Sequence, residues 1–334
     1  MAVTPTRTSH ERRPTPARGT PATGLVIVAA LVVLAAVLRP FLVELLVKPA
    51  VASWSTLFLA ITIQAVPFLI LGVTVSGAIA AFVPPGRIAA LLPRRRLLAV
   101  PAAATAGAAL PGCECGSVPI ASRLVAAGVT PAAALAFLLS APAINPIVLA
   151  STAVAFPGQP MMVLARFVAS LAAAVAVGLV WTALGRDDLL ATRRRWEPAP
   201  GPKVQMFLAT ARHDFLQAGG YLVVGAAAAA TLQTLVPRSV VDAFADNIAL
   251  SVLALGLLAV LLALCSEADA FVAAGLKQFP LTARLVFLVV GPMVDVKLIA
   301  LQAGTFGPRF AAVFAPLTFV VAVACAVLTG WWLL

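Results

Sequence analysis

Apolar runs of about the length that crosses a bilayer's hydrocarbon recur along this chain, and they constrain its fold more than any other feature. They cover residues 24–46, 54–83, 131–156, 161–184, 212–236, 246–265, 281–303 and 310–333. Backbone in lipid finds no water to bond, so such runs must close their hydrogen bonds internally, as helices or as a sealed barrel. A transmembrane barrel's alternation of polar and apolar residues is absent, and aliphatic residues dominate while aromatics make up 7%. With 62% apolar residues, 10% charged and a mean hydropathy of +1.06, the chain lacks the polar shell a soluble domain needs. The expected fold is all-α, a polytopic transmembrane bundle of about 8–10 spans.

The net charge of +11 does not indicate a nucleic-acid partner, because the basic residues sit in short clusters between apolar runs. Arg7, Arg12, Arg13 and Arg18 lie in the first 23 residues, Arg87 and Arg94-Arg95-Arg96 follow the second run, and Arg186, Arg193-Arg194-Arg195 and Lys203 lie near the middle. Positive charge on short loops is the signature of the cytoplasmic side. The expected organisation is therefore a disordered cytoplasmic tail (1–23), a first span (24–46) retained without cleavage, a transmembrane part (50–184), a basic cytoplasmic linker (185–204) and a second transmembrane part (205–334). The partners are the lipid bilayer of the plasma membrane and a small solute. Four cysteines, Cys113, Cys115, Cys265 and Cys325, are too few and too deep in apolar sequence for a disulfide framework.

The two transmembrane parts resemble each other. A shift of 150 residues places Leu135, Phe137 and Leu138 on Leu285, Phe287 and Leu288, Pro142 on Pro292, Asn145 on Asp295 and Cys115 on Cys265. Each part also contains a segment broken by Gly, Pro or polar residues, 111–128 and 265–278. Repeats with interrupted helices in corresponding places point to a transporter with its site between them, near the middle of the membrane. The charge rule puts Arg94 inside and the corresponding region near Arg238 outside, which favours an inverted pair.

The sharpest local feature is Pro111-Gly112-Cys113-Glu114-Cys115-Gly116-Ser117-Val118-Pro119. Two thiols one residue apart among helix breakers suit a soft, thiophilic species, which thiolate binds best; the alternative is that the cysteines only pack. Glu114, Glu267 and Asp269 are costly in hydrocarbon, so they should face a polar cavity or pair with a base, for which Arg123, Lys277 and Lys297 are candidates. Asn145 in Ala-Pro-Ala-Ile-Asn145-Pro146 and Asp295 in Gly-Pro-Met-Val-Asp295 each follow a proline that frees backbone carbonyls. They either line a substrate path or cap a kinked helix. The candidate substrate-binding residues are thus Cys113, Glu114, Cys115, Asn145, Cys265, Glu267, Asp269 and Asp295. Cys325 is read as packing, and neither His10 nor His213 as a metal ligand.

Nothing in the chain calls for a cofactor. It has no Walker A loop, dinucleotide-binding glycine pattern or H-E-x-x-H, so neither an ATP-driven pump nor a soluble enzyme is expected. A membrane thiol–disulfide oxidoreductase is the alternative class, although its usual spacing is C-x-x-C rather than C-x-C.

The Pro111–Pro119 motif, Leu124, Gly128, Phe137-Leu138 and Ala141-Pro-Ala-Ile-Asn145-Pro146, with Cys265-Ser-Glu267-Ala-Asp269, Gly291-Pro-Met-Val-Asp295 and Phe306-Gly307, resemble the YraQ-like predicted permeases. The resemblance runs from about residue 50 to the end. It implies an integral membrane permease, related to exporters of trivalent organoarsenicals such as methylarsenite, with Cys113, Cys115 and Cys265 as candidate substrate ligands. One departure is Glu114, where the family usually has a small residue such as Ser.

Overall fold

Every regular element among the described residues is a helix, as lipid requires of backbone that must bond to itself. The computed structural model describes residues 49–84, 87, 90, 92, 93, 95–109, 113–185, 188–191, 201–235 and 247–334. In chain order these form α1 (Pro49–Phe82), α2 (Arg96–Gly107), α3 (Glu114–Ala126), α4 (Pro131–Ile144), α5 (Pro146–Ala155), α6 (Pro160–Leu184) and the single turn α7 (Asp188–Ala191). There follow α8 (Lys203–Leu235), α9 (Ile248–Leu262), α10 (Asp269–Gly275), α11 (Leu281–Val290), α12 (Val296–Thr305) and α13 (Pro308–Leu333). The tail (1–23), the expected first span (24–46) and most of the basic linker lie outside the described residues.

Helices α1, α6, α8 and α13, and the α4–α5 pair taken together, are long and apolar enough to cross a membrane; α2, α9 and α11 are shorter apolar helices. Ser53–Leu334 form one compact unit.

Two of the apolar runs are not continuous helices. The run 131–156 breaks at Asn145, which ends α4 and begins α5 in an extended conformation (φ −67°, ψ 156°). Pro146 is the cause: its ring disfavours a helical residue before it and supplies no amide to continue the ladder. The run 281–303 breaks likewise between α11 and α12, where Gly291-Pro292-Met293-Val294 leads into an extended Asp295 (φ −141°, ψ 166°). Two further breaks fall where the cysteine segments lie: α2 is separate from α3, and α9 stops before Cys265 with Ala263 in the left-handed region (φ 46°).

Packing places these breaks in the interior. Every residue from Ala132 to Ile144 of α4 is buried, and α4 contacts α2, α3 and α6. Helix α11, buried at seven positions, is surrounded by α9, α10, α6 and α13. Helices α6 and α13 pack together through Trp181, which meets Phe310 and Phe314 edge-on with ring centroids 5.4 and 5.6 Å apart. By contrast α1 exposes Leu59, Ile63, Ile70 and Leu71, an apolar surface suited to lipid. It meets α3 where two glycines let the backbones touch: a Cβ at Gly72 would lie 2.5 Å from Gly116 Cα, and one at Gly116 would lie 2.8 Å from the Phe68 carbonyl oxygen. Small residues at crossings of this kind drive helix association in membranes. Gly116→Val should therefore separate α3 from α1 and destabilise the protein by about 1–3 kcal/mol. An unchanged melting temperature for the purified variant would show that the crossing is not tight.

Candidate functional site

The helix breaks expose backbone and polar side chains in the interior, and the residues singled out in the sequence gather there. Cys113 is the N-cap of α3 in an extended conformation (φ −86°, ψ 175°), so Glu114 opens the first helical turn. That position favours a carboxylate, because unpaired amides and the helix dipole leave it electropositive. Cys265 begins the turn between α9 and α10, its carbonyl accepting from the amides of Ala268 (2.9 Å) and Asp269 (3.1 Å).

The sulfurs of Cys113 and Cys265 and a carboxylate oxygen of Glu114 all lie within 4.8 Å of one another, and all three residues are buried. Cys115 lies beside Cys113, yet stands outside this three-residue group. The two sulfurs that converge with the carboxylate thus come from different motifs, not from the C-x-C pair. Cys115 is already inside the helical turn of α3, whereas Cys113 is in extended chain.

Glu114 is neutralised by Lys297 of α12. Lys297 Nζ donates to Glu114 Oε1 at 2.5 Å and to the Ala263 carbonyl at 3.4 Å, and lies 3.8 Å from Asp295 Oδ2. Neither side chain of the Lys297–Glu114 pair is exposed. The left-handed turn at Ala263 aims that carbonyl at the ammonium, and Gly225 lets α8 approach: a Cβ there would sit 2.8 Å from Lys297 Cα. Asp295 also caps α12, accepting the Leu298 amide through Oδ1, just as Asn145 Oδ1 caps α5 by accepting from Val148 N at 3.0 Å. Asn145 Nδ2 returns a bond to the Ala141 carbonyl. Capping of a kinked helix is thus an observed role for both residues, and Asp295 additionally faces the lysine.

A second buried ion pair holds the Cys265 turn. Arg166 of α6 donates through Nη2 to Asp269 Oδ2 (2.8 Å) and the Ser266 carbonyl (3.2 Å), and through Nη1 to Thr152 Oγ1 of α5 (2.7 Å). Thus α6, α5 and the Cys265 turn are tied together. Arg166 was not among the residues singled out from sequence, although a detectable signal existed: it is the one charged residue in the apolar run 161–184. Of the three bases considered for the intramembrane acids, Lys297 pairs as described and Lys277 is exposed. Arg123 pairs instead with Asp214 of α8, at 2.9 Å, and with Ser76, away from the thiols. Glu267 is half-buried, and its Oε1 has no hydrogen-bond partner among the described residues. Cys325 packs at the edge of the apolar core.

Residues 50–331 match the family model described as "Predicted permease". The chain belongs to this family of predicted permeases. The permease is 39% identical over 281 residues to the UPF0718 protein YcgR of Bacillus subtilis, covering 81% of this chain and 94% of that one. It is 32% identical over 262 residues to a Streptococcus mutans protein named "Putative two-component membrane permease complex subunit", covering 76% and 87%. No solved structure matches it. The resemblance to YraQ-like permeases is shown by these matches, and the chain is a multi-pass membrane protein of a permease family.

Removing one member of a fully buried ion pair leaves an uncompensated charge, which costs about 3–5 kcal/mol. Lys297→Met should therefore unfold or strongly destabilise the permease, and Glu114→Gln/Lys297→Met should recover part of the loss, Asp295 still lacking its counter-ion. Thermal melts of the three proteins in lipid nanodiscs measure this, and a single variant as stable as the parent would contradict the pairing.

Proposed function

We propose that the permease exports a small thiophilic solute, a metalloid or metal species such as a trivalent organoarsenical, across the plasma membrane. The observation that carries this reading is the buried convergence of Cys113, Cys265 and Glu114, with Cys115 beside Cys113. Thiols bind soft, polarisable species far better than hard cations, and a site sealed among helix breaks is where transporters hold cargo. Lys297, Asn145, Glu267, Asp269 and Asp295 supply the polar surroundings, the last two through ion pairs that fix the geometry.

The same reading treats the chain as two repeats. In support, α4–α5–α6 and α11–α12–α13 follow one pattern, a short buried helix, a polar N-cap after a break, a second short helix and a long spanning helix. Alternating access then consists of one repeat moving against the other about the thiols. By analogy with the S. mutans relative, named as a subunit of a two-component permease complex, a second subunit takes part. Thiol–disulfide exchange is favoured by one observation, the proximity of three reduced cysteines. Their burial at 0–2% exposure gives a partner protein's thiol no approach, so transport is the stronger reading.

Inside-out vesicles carrying the parent should accumulate methylarsenite, and Cys113→Ser or Cys265→Ser should lower the rate about tenfold or more, the effect of losing ~1.4 kcal/mol of binding. Equal accumulation by parent and both variants would remove the thiols from the substrate site.

A further inference from the structure

Two thiols are enough to hold a methylated trivalent metalloid, whose remaining substituent is an apolar methyl group. The donor group here contains a third member of another kind, the Glu114 carboxylate. Only Oε1 of that carboxylate is engaged, by Lys297; Oε2 is buried with no hydrogen-bond partner among the described residues, and the side chain is wholly unexposed. A carboxylate beside two sulfurs with one of its oxygens unpartnered is a poor lining for a methyl group, because buried polar atoms require partners. It is a good ligand for a cation.

We infer that the cargo of the Cys113–Glu114–Cys265 pocket is a divalent cation of the zinc and cadmium class, bound by two thiolates and the free oxygen of Glu114. This rests on the thiophilic-transport reading and narrows its substrate class. Mixed sulfur and carboxylate ligation of modest number suits borderline-soft d10 ions, and a three-ligand protein site leaves a coordination position open for water. Tetrahedral zinc with bonds of about 2.3 Å to sulfur holds its donors about 3.8 Å apart. The donors here, spread over as much as 4.8 Å, need to draw in by roughly 1 Å, which suits a cargo that must be released more than a permanent structural ion.

The unexposed carboxylates of Glu114 and Asp295 share the single ammonium of Lys297, and Asp269 is matched by Arg166. That leaves one carboxylate in excess, and half-buried Glu267, with an unbonded oxygen, adds another. A divalent cation that displaces the two thiol protons adds no net charge to the site, but it gives the unpartnered anionic oxygen a ligand bond that an apolar methyl group does not. On coordination the two thiol protons leave for solvent and the metal–sulfur bonds take their place. Lys297 keeps Asp295 as its counter-ion when the cation draws on Glu114.

The full chain in lipid nanodiscs, titrated with Cd2+ and read by thiolate-to-metal charge-transfer absorption, tests the inference, with Zn2+ as competitor and methylarsenite titrated in parallel. The expected result is one Cd2+ per chain, displaced by Zn2+ and lost in Cys113→Ser and Cys265→Ser. Glu114→Gln, which leaves Lys297 paired with Asp295, should weaken Cd2+ binding at least tenfold. Equal Cd2+ affinity in that variant and the parent, or stoichiometric methylarsenite binding without Cd2+ binding, would overturn the cation class while leaving thiophilic transport standing. Binding of neither species would remove both.

Discussion

Charge buried where lipid excludes water must be matched within the protein, and the structure is organised around two such matches. Lys297 with Glu114 joins the start of α3 to the start of α12, and Arg166 with Asp269 joins α6 to the Cys265 turn. Both pairs link elements far apart in the chain, so they set which helices meet in the interior. Hydrophobic burial could not do so, since lipid is as apolar as the side chains it surrounds and offers no preference between them.

The helix breaks and the ion pairs depend on each other. An N-terminus opened at Cys113, Asn145 or Asp295 leaves amides unbonded, and the side chains of Asn145 and Asp295 take up one each. Asp295 then lies near the lysine that neutralises Glu114. Backbone irregularity, which lipid would not tolerate, is thus confined to buried positions and lined with groups that bond to it. The outcome is a polar interior carrying thiols inside an apolar surface, the arrangement a permease needs to bind a polar or soft solute while remaining in a membrane.

Much of this was legible in the order of residues. The apolar runs announced the helices, the prolines near 145 and 295 announced trouble within them, and the acids Glu114, Glu267, Asp269 and Asp295 stood out as charges where composition says none should be. The partner of Asp269 did not stand out, even though Arg166 is as isolated in its run as any of the acids. Nor could spacing tell that Cys115, the nearest neighbour in sequence to Cys113, would fall outside the donor group and that Cys265 would enter it.

The division between the two levels has a physical cause. Sequence alone determined that the chain is helical and membrane-embedded, because the lipid requirement acts on each segment separately and composition satisfies it or fails. It also pointed to the breaks beside Pro146 and Pro292, although Pro67, Pro101, Pro119, Pro142 and Pro316 lie inside helices. Only the tertiary structure decided which sulfurs converge, which base neutralises which acid, and which carboxylate oxygen is left unpartnered. Those outcomes depend on distances between segments over a hundred residues apart, such as Glu114 and Lys297, and local sequence carries no information about them.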